Sequence, residues 1–221
     1  MYDAVLFDND GVLVRPPKRE LLRDAAVSAF EEFDVDPAED HLDAVTHSAT
    51  PDGFRRVCEE YGFDPDAFWK ARDSAASETQ LQEIRAGRTT TYDDVGMLSD
   101  FDRPLGLVSS NQQATVEFML DYFELGRHFE TYYGRPPTIE GIRRKKPDPH
   151  FLELALSDLG VEDALFVGDS ESDVVAAHNA GVDSAFIRRP HRADYDLTVE
   201  PTYEIEGLPE IFDVLDRGVE D

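Results

Sequence analysis

The sequence predicts an α/β fold: a parallel sheet with helices on both faces, and a small helical domain inserted after the first strand. Three observations predict it. Short apolar runs end abruptly in polar residues, at Asp8 and Asp10, at Ser109-Ser110-Asn111 and at Gly168-Asp169-Ser170. Segments of helical periodicity separate these runs from Leu105 onward, and such alternation argues for parallel strands with crossover helices. From about Lys18 to Thr91 the pattern is helical throughout, with no strand.

The elements follow in order. Ala4 to Phe7 is short, apolar and immediately followed by two carboxylates and a glycine, as for a buried strand ending in a tight turn. Arg15-Pro16-Pro17 breaks the chain. Leu22, Ala25, Ala26, Ala29, Phe30 and Phe33 then share one helical face, as do Phe54, Val57, Cys58 and Tyr61, with Gly62 as a C-cap. Asp64-Pro65 starts another helix carrying Phe68 and Trp69, both expected in the core of the helical block.

Leu105 to Ser109 reads as the next strand, followed by a helix with Val116, Met119, Leu120 and Phe123 on one face. Asp148-Pro149 is expected to supply N-cap and N1 of a helix lined by Leu152, Ala155, Leu156 and Leu159 and closed by Gly160. Ala164 to Val167 is a buried strand, a short helix runs to Ala180 and Gly181, and Ser184 to Ile187 is a further strand. The expected division is a core of residues 1–14 and 92–221 and a helical domain of residues 15–91.

Composition narrows the function. The 221 residues carry 48 acidic against 21 basic side chains, a formal charge of −27. Such a field repels nucleic acid and anionic membrane, so neither is an expected partner. The acid is scattered over surviving hydrophobic periodicity, which suggests the solvated surface of a salt-adapted, halophilic protein rather than disorder. Cys58 stands alone, so no intrachain disulfide or cysteine metal site is expected. No apolar run approaches membrane-spanning length, and the first strand begins almost at Met1, so a cytoplasmic protein is expected.

Side chains two apart on an extended segment face the same side, so Asp8 and Asp10 can point into one site, where a cation such as Mg²⁺ relieves their repulsion. Ligands of open α/β sheets bind beyond the carboxyl ends of strands, where Ser109 and Asp169 also fall. Lys145-Lys146 holds half the lysines of a chain that otherwise uses arginine, and a compact ammonium just before a helix start suits a phosphate. Each residue also has a plainer explanation. Ser109 and Ser110 suit a helix cap, the lysines suit solvated charge, and Ser170 to Asp173 forms a capping box. Their occurrence together at strand ends favours a shared site.

These residues resemble the haloacid dehalogenase-like superfamily of hydrolases, and its phosphoglycolate phosphatase-like branch in particular. Asp8-Asn9-Asp10-Gly11-Val12, Ser109 within Leu107-Val108-Ser109-Ser110-Asn111, Lys146 within Lys146-Pro147-Asp148-Pro149, and Gly168-Asp169-Ser170-Glu171-Ser172-Asp173 are similar to the family's four motifs, in its order. Asn9 departs from the apolar or aromatic residue more common there, at a position that contributes mainly backbone. The resemblance implies a Rossmann-like core and a helical cap that closes over the site. It implies Asp8 as nucleophile forming an aspartyl-phosphate, and Asp10 as general acid and then base. It also implies Mg²⁺ held by Asp8, the backbone carbonyl of Asp10, and Asp169. Ser109, Ser110, Asn111 and Lys146 would bind the phosphoryl group, and Asp173 would orient Lys146 or support the metal.

The expected activity is Mg²⁺-dependent hydrolysis of a small phosphomonoester, phosphoglycolate- or sugar-phosphate-like, by a monomer or homodimer. A phosphomutase or a catalytically silent binding protein of the same fold is the alternative. A true dehalogenase is disfavoured by Asp10, and a signalling receiver domain by Asp169 and the helical insertion. Arg55 and Arg56 fit solvated helix charge better than a substrate contact, and His41 and His47 lack metal-ligand companions.

Overall fold

The structure is a computed structural model and describes residues 2–46 and 49–217. His47 therefore lies outside the described residues. Strands β1 (Ala4–Phe7), β2 (Leu105–Gln112), β3 (Thr131–Arg135), β4 (Ala164–Gly168), β5 (Asp183–Ile187) and β6 (Tyr203–Ile205) form one sheet in the order β3-β2-β1-β4-β5-β6, parallel throughout. The first strand is central: Val5 pairs with Leu105 on one side and Leu165 on the other.

Strand periodicity divides the core into two layers. Val5, Phe7, Leu107 and Val167 pack on one face with Val116 and Met119 of α5 (Gln113–Tyr122) and Ile211 and Leu215 of α9 (Pro209–Arg217). Ala4, Leu6, Val108 and Phe166 pack on the other with α7 (His150–Leu159) and α8 (Glu171–Ala180). Both faces of β1 are thus covered, and for that reason its four residues form an uninterrupted apolar run.

The insertion consists of α1 (Arg19–Glu31), α2 (Glu39–Thr46), α3 (Pro51–Tyr61) and α4 (Pro65–Arg85). Its own core centres on Phe30, Phe54 and Phe68, with the Phe30 and Phe68 rings 4.6 Å apart. Local signals set the helix ends. Thr50 Oγ1 accepts from Gly53 N at 3.1 Å, Asp64 Oδ1 accepts from Ala67 N at 2.8 Å, and Gly62 closes α3 at φ +71°. The chain leaves the core after Val14 and returns at Thr91, where the two residues form an antiparallel bridge. Arg15 N to Thr90 O (2.9 Å) and Tyr92 N to Leu13 O (3.0 Å) tie the two crossings together.

Three features differ from expectation. β3 and β6 were not anticipated, because both lie toward the sheet edges and lack a continuous apolar run. β2 continues past Ser109 to Gln112, with its register to β3 broken between Val108 and Gln112. Helix α7 starts at His150, with Pro149 rather than Asp148 as its cap residue, although Asp148 Oδ1 still accepts from His150 N at 3.0 Å. No helix among the described residues is long and apolar enough to cross a membrane.

Candidate active site

The site sits beyond the carboxyl ends of β1, β2 and β4. Asp8 follows β1 and donates its backbone N–H to Val167 O at 2.8 Å, so the neighbouring strand fixes its position. The chain then turns around Asn9, whose carbonyl accepts from Leu13 N (2.9 Å) and Val14 N (3.0 Å). Gly11 lies at φ +89°, and a Cβ there would collide with the Asp169 carboxylate. The glycine thus allows both the turn and the approach of the first and fourth motifs.

Lys146 joins these strand ends. Its Nζ lies 2.7 Å from Asp8 Oδ1 and 2.6 Å from Asp173 Oδ1, and donates to Val108 O at 3.1 Å. The solvated alternative fails for Lys146, which is buried. Asp173 both caps and anchors. Its Oδ2 accepts from Ser170 N at 3.0 Å at the start of α8, while Oδ1 faces Lys146.

Burial raises the Asp8 carboxyl well above the usual range against the pull of Lys146, and the Asp173 and Asp169 charges add to the rise. Burial alone would depress the Lys146 ammonium, but Asp173 and Asp8 outweigh it, and the net is upward. Asp10 is pushed up to about 6, chiefly by burial, while its hydrogen bond from Asn111 pulls it down. Asp169 is also raised by burial, but His191 and Arg192 reverse this and hold it below the ordinary carboxylate value.

Ser109 is buried, and its Oγ accepts from Asn111 N at 3.1 Å. The Ser110 carbonyl accepts from Arg135 Nε at 3.0 Å. Asn111 Nδ2 donates to Asp10 Oδ2 at 3.0 Å and to Gln80 Oε1 of α4 at 2.8 Å, linking the acid to the insertion. Carboxylate oxygens of Asp8, Asp169 and Asp173 lie within 4.8 Å of one another. The Asp10 side chain is outside that trio, with its Oδ1 shielded from solvent and without a partner. An all-oxygen, buried, acidic set with an unpartnered carboxylate oxygen beside it fits a hard divalent cation.

A cavity of about 290 Å³ opens from Asp10 between the insertion and the sheet. Arg72, Arg135, Lys145 and Trp69 line it. Arg135 is paired in a fork with buried Asp73 of α4 (Nη1–Oδ2 2.5 Å, Nη2–Oδ1 2.8 Å), the main ionic tie between insertion and sheet. Asp73 and Arg135 lie 62 positions apart, and no local spacing in the sequence marks the pair. Arg55 and Arg56 are exposed and do not line the cavity. Also missed were His191 and Arg192, whose Nε2 and Nε lie 2.7 and 2.9 Å from Asp169 Oδ2. The dense basic run around Pro190 was the available signal. His41 bonds to Tyr61 (2.9 Å) and lies 3.3 Å from Glu60, an ordinary surface arrangement.

Buried aspartates joined by a lysine beyond the carboxyl ends of a parallel sheet, under a helical insertion, are what this fold and site bring together. Residues 5–187 match the haloacid dehalogenase-like hydrolase family, and the chain belongs to it. It is 25% identical to the pyrophosphatase PpaX of Halalkalibacterium halodurans, with 96% of each chain covered. It is 33% identical over 119 residues to phosphoglycolate phosphatase 1 of Pseudomonas aeruginosa, covering 52% of this chain and 42% of that one. Among solved structures, a candidate phosphoglycolate phosphatase from Lactobacillus plantarum superposes with a TM-score of 0.67 at 18% identity. That match covers 96% of this chain and 99% of the other. The enzyme is thus a hydrolase homologous to phosphatases.

Proposed function

We propose that the protein is a Mg²⁺-dependent phosphatase of small phosphorylated metabolites, acting through an aspartyl-phosphate on Asp8. The observation that carries this reading is the placement of Lys146 between Asp8 and Asp173, at 2.7 and 2.6 Å, with Asp10 at the mouth of the adjoining cavity. Lys146 holds one Asp8 oxygen and leaves the other to attack. Attack of that oxygen on phosphorus forms the Asp8–phosphoryl bond and breaks the bond to the leaving oxygen, to which Asp10 gives its proton. Asp10, now ionised, takes a proton from water as the water oxygen attacks phosphorus, freeing Asp8 and inorganic phosphate.

An Asp10 carboxyl near 6 suits both halves, since it holds a proton readily and releases it near neutrality. Ser109 and Lys146 bind the phosphoryl oxygens, with the Ser110 backbone beside them. Asn111 orients Asp10 from a position that also touches the phosphoryl site. Asp8, Asp169 and the Asp10 carbonyl would hold Mg²⁺, which offsets charge on the transferring group when bound. In this reading residues 15–91 are a cap over a core of residues 1–14 and 92–221, closing the cavity from water. The relatives' names, pyrophosphatase and phosphoglycolate phosphatase, support a small phosphorylated substrate.

The test is phosphate release from a panel of phosphoglycolate, pyrophosphate, sugar phosphates and nucleotides, in high KCl with Mg²⁺ or EDTA. Release on the small substrates, lost in EDTA, is expected. A folded protein that is silent across the panel with Mg²⁺ refutes the reading. Phosphoryl return to a sugar without net release would instead identify a mutase.

A further inference from the structure

We propose that Lys145 and Arg72 form an anion subsite in the cavity, and that the preferred substrate carries a second anionic group on its leaving portion. The inference rests on the phosphatase reading above and names the chemistry of its substrate, a carboxylate or a second phosphoryl.

The cavity inverts the charge of the molecule. In a chain of 48 acidic and 21 basic residues, its lining includes three bases and Asp10 as the one acid. Arg135 and Arg72 share one carboxylate: Asp73 is forked to Arg135 and lies 3.3 Å from Arg72 Nη1, so one positive charge of the pair is left over. Arg72 is buried, and its other bonds go to neutral acceptors, Nε to Val45 O at 2.9 Å and Nη2 to Thr46 O at 3.1 Å. Carbonyls orient a guanidinium without cancelling its charge. Lys145 Nζ donates to Ala49 O at 3.1 Å, leaving two of its three N–H bonds without an acceptor among the described residues. Surplus positive charge and unfilled ammonium donors on the wall of one cavity, beside a single acid, point to an absent acceptor, an anion.

Position makes that anion part of the substrate. Asp10 sits on the same cavity and would protonate the leaving oxygen, so whatever that oxygen carries extends toward Lys145. A cavity of about 290 Å³ is small, near the lower limit for ligand pockets. A neutral leaving group would leave the Lys145 ammonium and the surplus charge of the two guanidiniums uncompensated, which discriminates against it. Burial and the adjacent Arg135 and Arg72 guanidiniums depress the Lys145 ammonium to about 8, a crowding of positive charge that a bound anion relieves. Arg135 acts here as a positioning residue, fixed by Asp73. Lys145 determines specificity.

The experiment compares kcat/KM for phosphoglycolate, pyrophosphate and 2-hydroxyethyl phosphate at one KCl concentration, in the wild type, Lys145→Gln and Lys145→Arg. The wild type is expected to favour one charged substrate over the neutral one by about 10- to 100-fold, the range of hydrogen bonds to charged groups. Lys145→Gln should cut that ratio by about 10-fold or more, mainly through KM, and Lys145→Arg should largely restore it. Preference for phosphoglycolate makes the second anion a carboxylate, and preference for pyrophosphate makes it a phosphoryl. Equal use of charged and neutral substrates, or equal losses on both in Lys145→Gln, overturns the subsite and leaves the phosphatase standing. Silence on all three and on the wider panel overturns the phosphatase reading, and the subsite with it.

Discussion

Lys146 is shared by two buried carboxylates, and its removal strands both. Lys146→Ala should destabilise the fold by about 3–5 kcal/mol, the usual cost of an orphaned buried charge, as read from urea midpoints. Asp10→Asn is a milder change, because Asn111 can still bond to the amide oxygen. It should leave the melting curve close to wild type and lower kcat by about 10²- to 10⁴-fold, the range for a lost general acid. Lys145 sets a pH dependence. Its value is depressed to about 8 by burial, Arg135 and Arg72, and is supported by Asp73 alone. Its charge is present below that value and is lost as pH rises through it, so KM for the charged substrate should climb above about pH 8. Lys145→Arg should abolish that rise, since arginine stays protonated. At this scale the sequence was most legible where chemistry is local: Asp8 with Asp10, and Asp169 with Asp173, announce themselves by spacing at strand ends. Arg72 and Arg135 do not, because a distant turn of the chain brings them together.

Among the elements, α4 belongs to both halves of the molecule. Its first turn is held by the Asp64 cap, and its middle is tied to β3 by Asp73 and Arg135. These ties differ in energy. Asp64→Ala should cost about 1 kcal/mol, as a lost N-cap does, whereas Asp73→Asn should cost about 3–5 kcal/mol by leaving two buried guanidiniums short of a counter-ion. Chemical denaturation of both variants gives the comparison, and equal costs would contradict the assignment. Within the insertion, α1 and α3 were readable from apolar residues on one face and α4 from its Asp64-Pro65 start, whereas the short α2 was not singled out. β3 was not: its burial comes from the sheet edge and the packing of α5 and α7, so Tyr132 and Tyr133 stay partly exposed and the run looks polar.

At the scale of the whole molecule, a parallel sheet places its chemistry at the carboxyl ends of its central strands and an insertion after the first strand covers it. The sheet order, with β1 between β2 and β4, brings the Asp8, Ser109 and Asp169 strand ends side by side. That convergence was foreshadowed by three apolar runs ending in polar groups, although the outer strands were not. The net charge of −27 predicts a salt response, since self-repulsion weakens as ions screen it. The melting temperature should rise by several degrees between low and molar KCl, and a flat or falling dependence would contradict a salt-adapted surface.

The most direct test of the central claim is kcat for phosphate release by Asp8→Asn beside the wild type, with Mg²⁺ and a substrate the wild type accepts. The substitution keeps the shape and removes the nucleophile, so turnover is predicted to disappear while the fold is retained. Turnover that survives it would contradict an aspartyl-phosphate on Asp8.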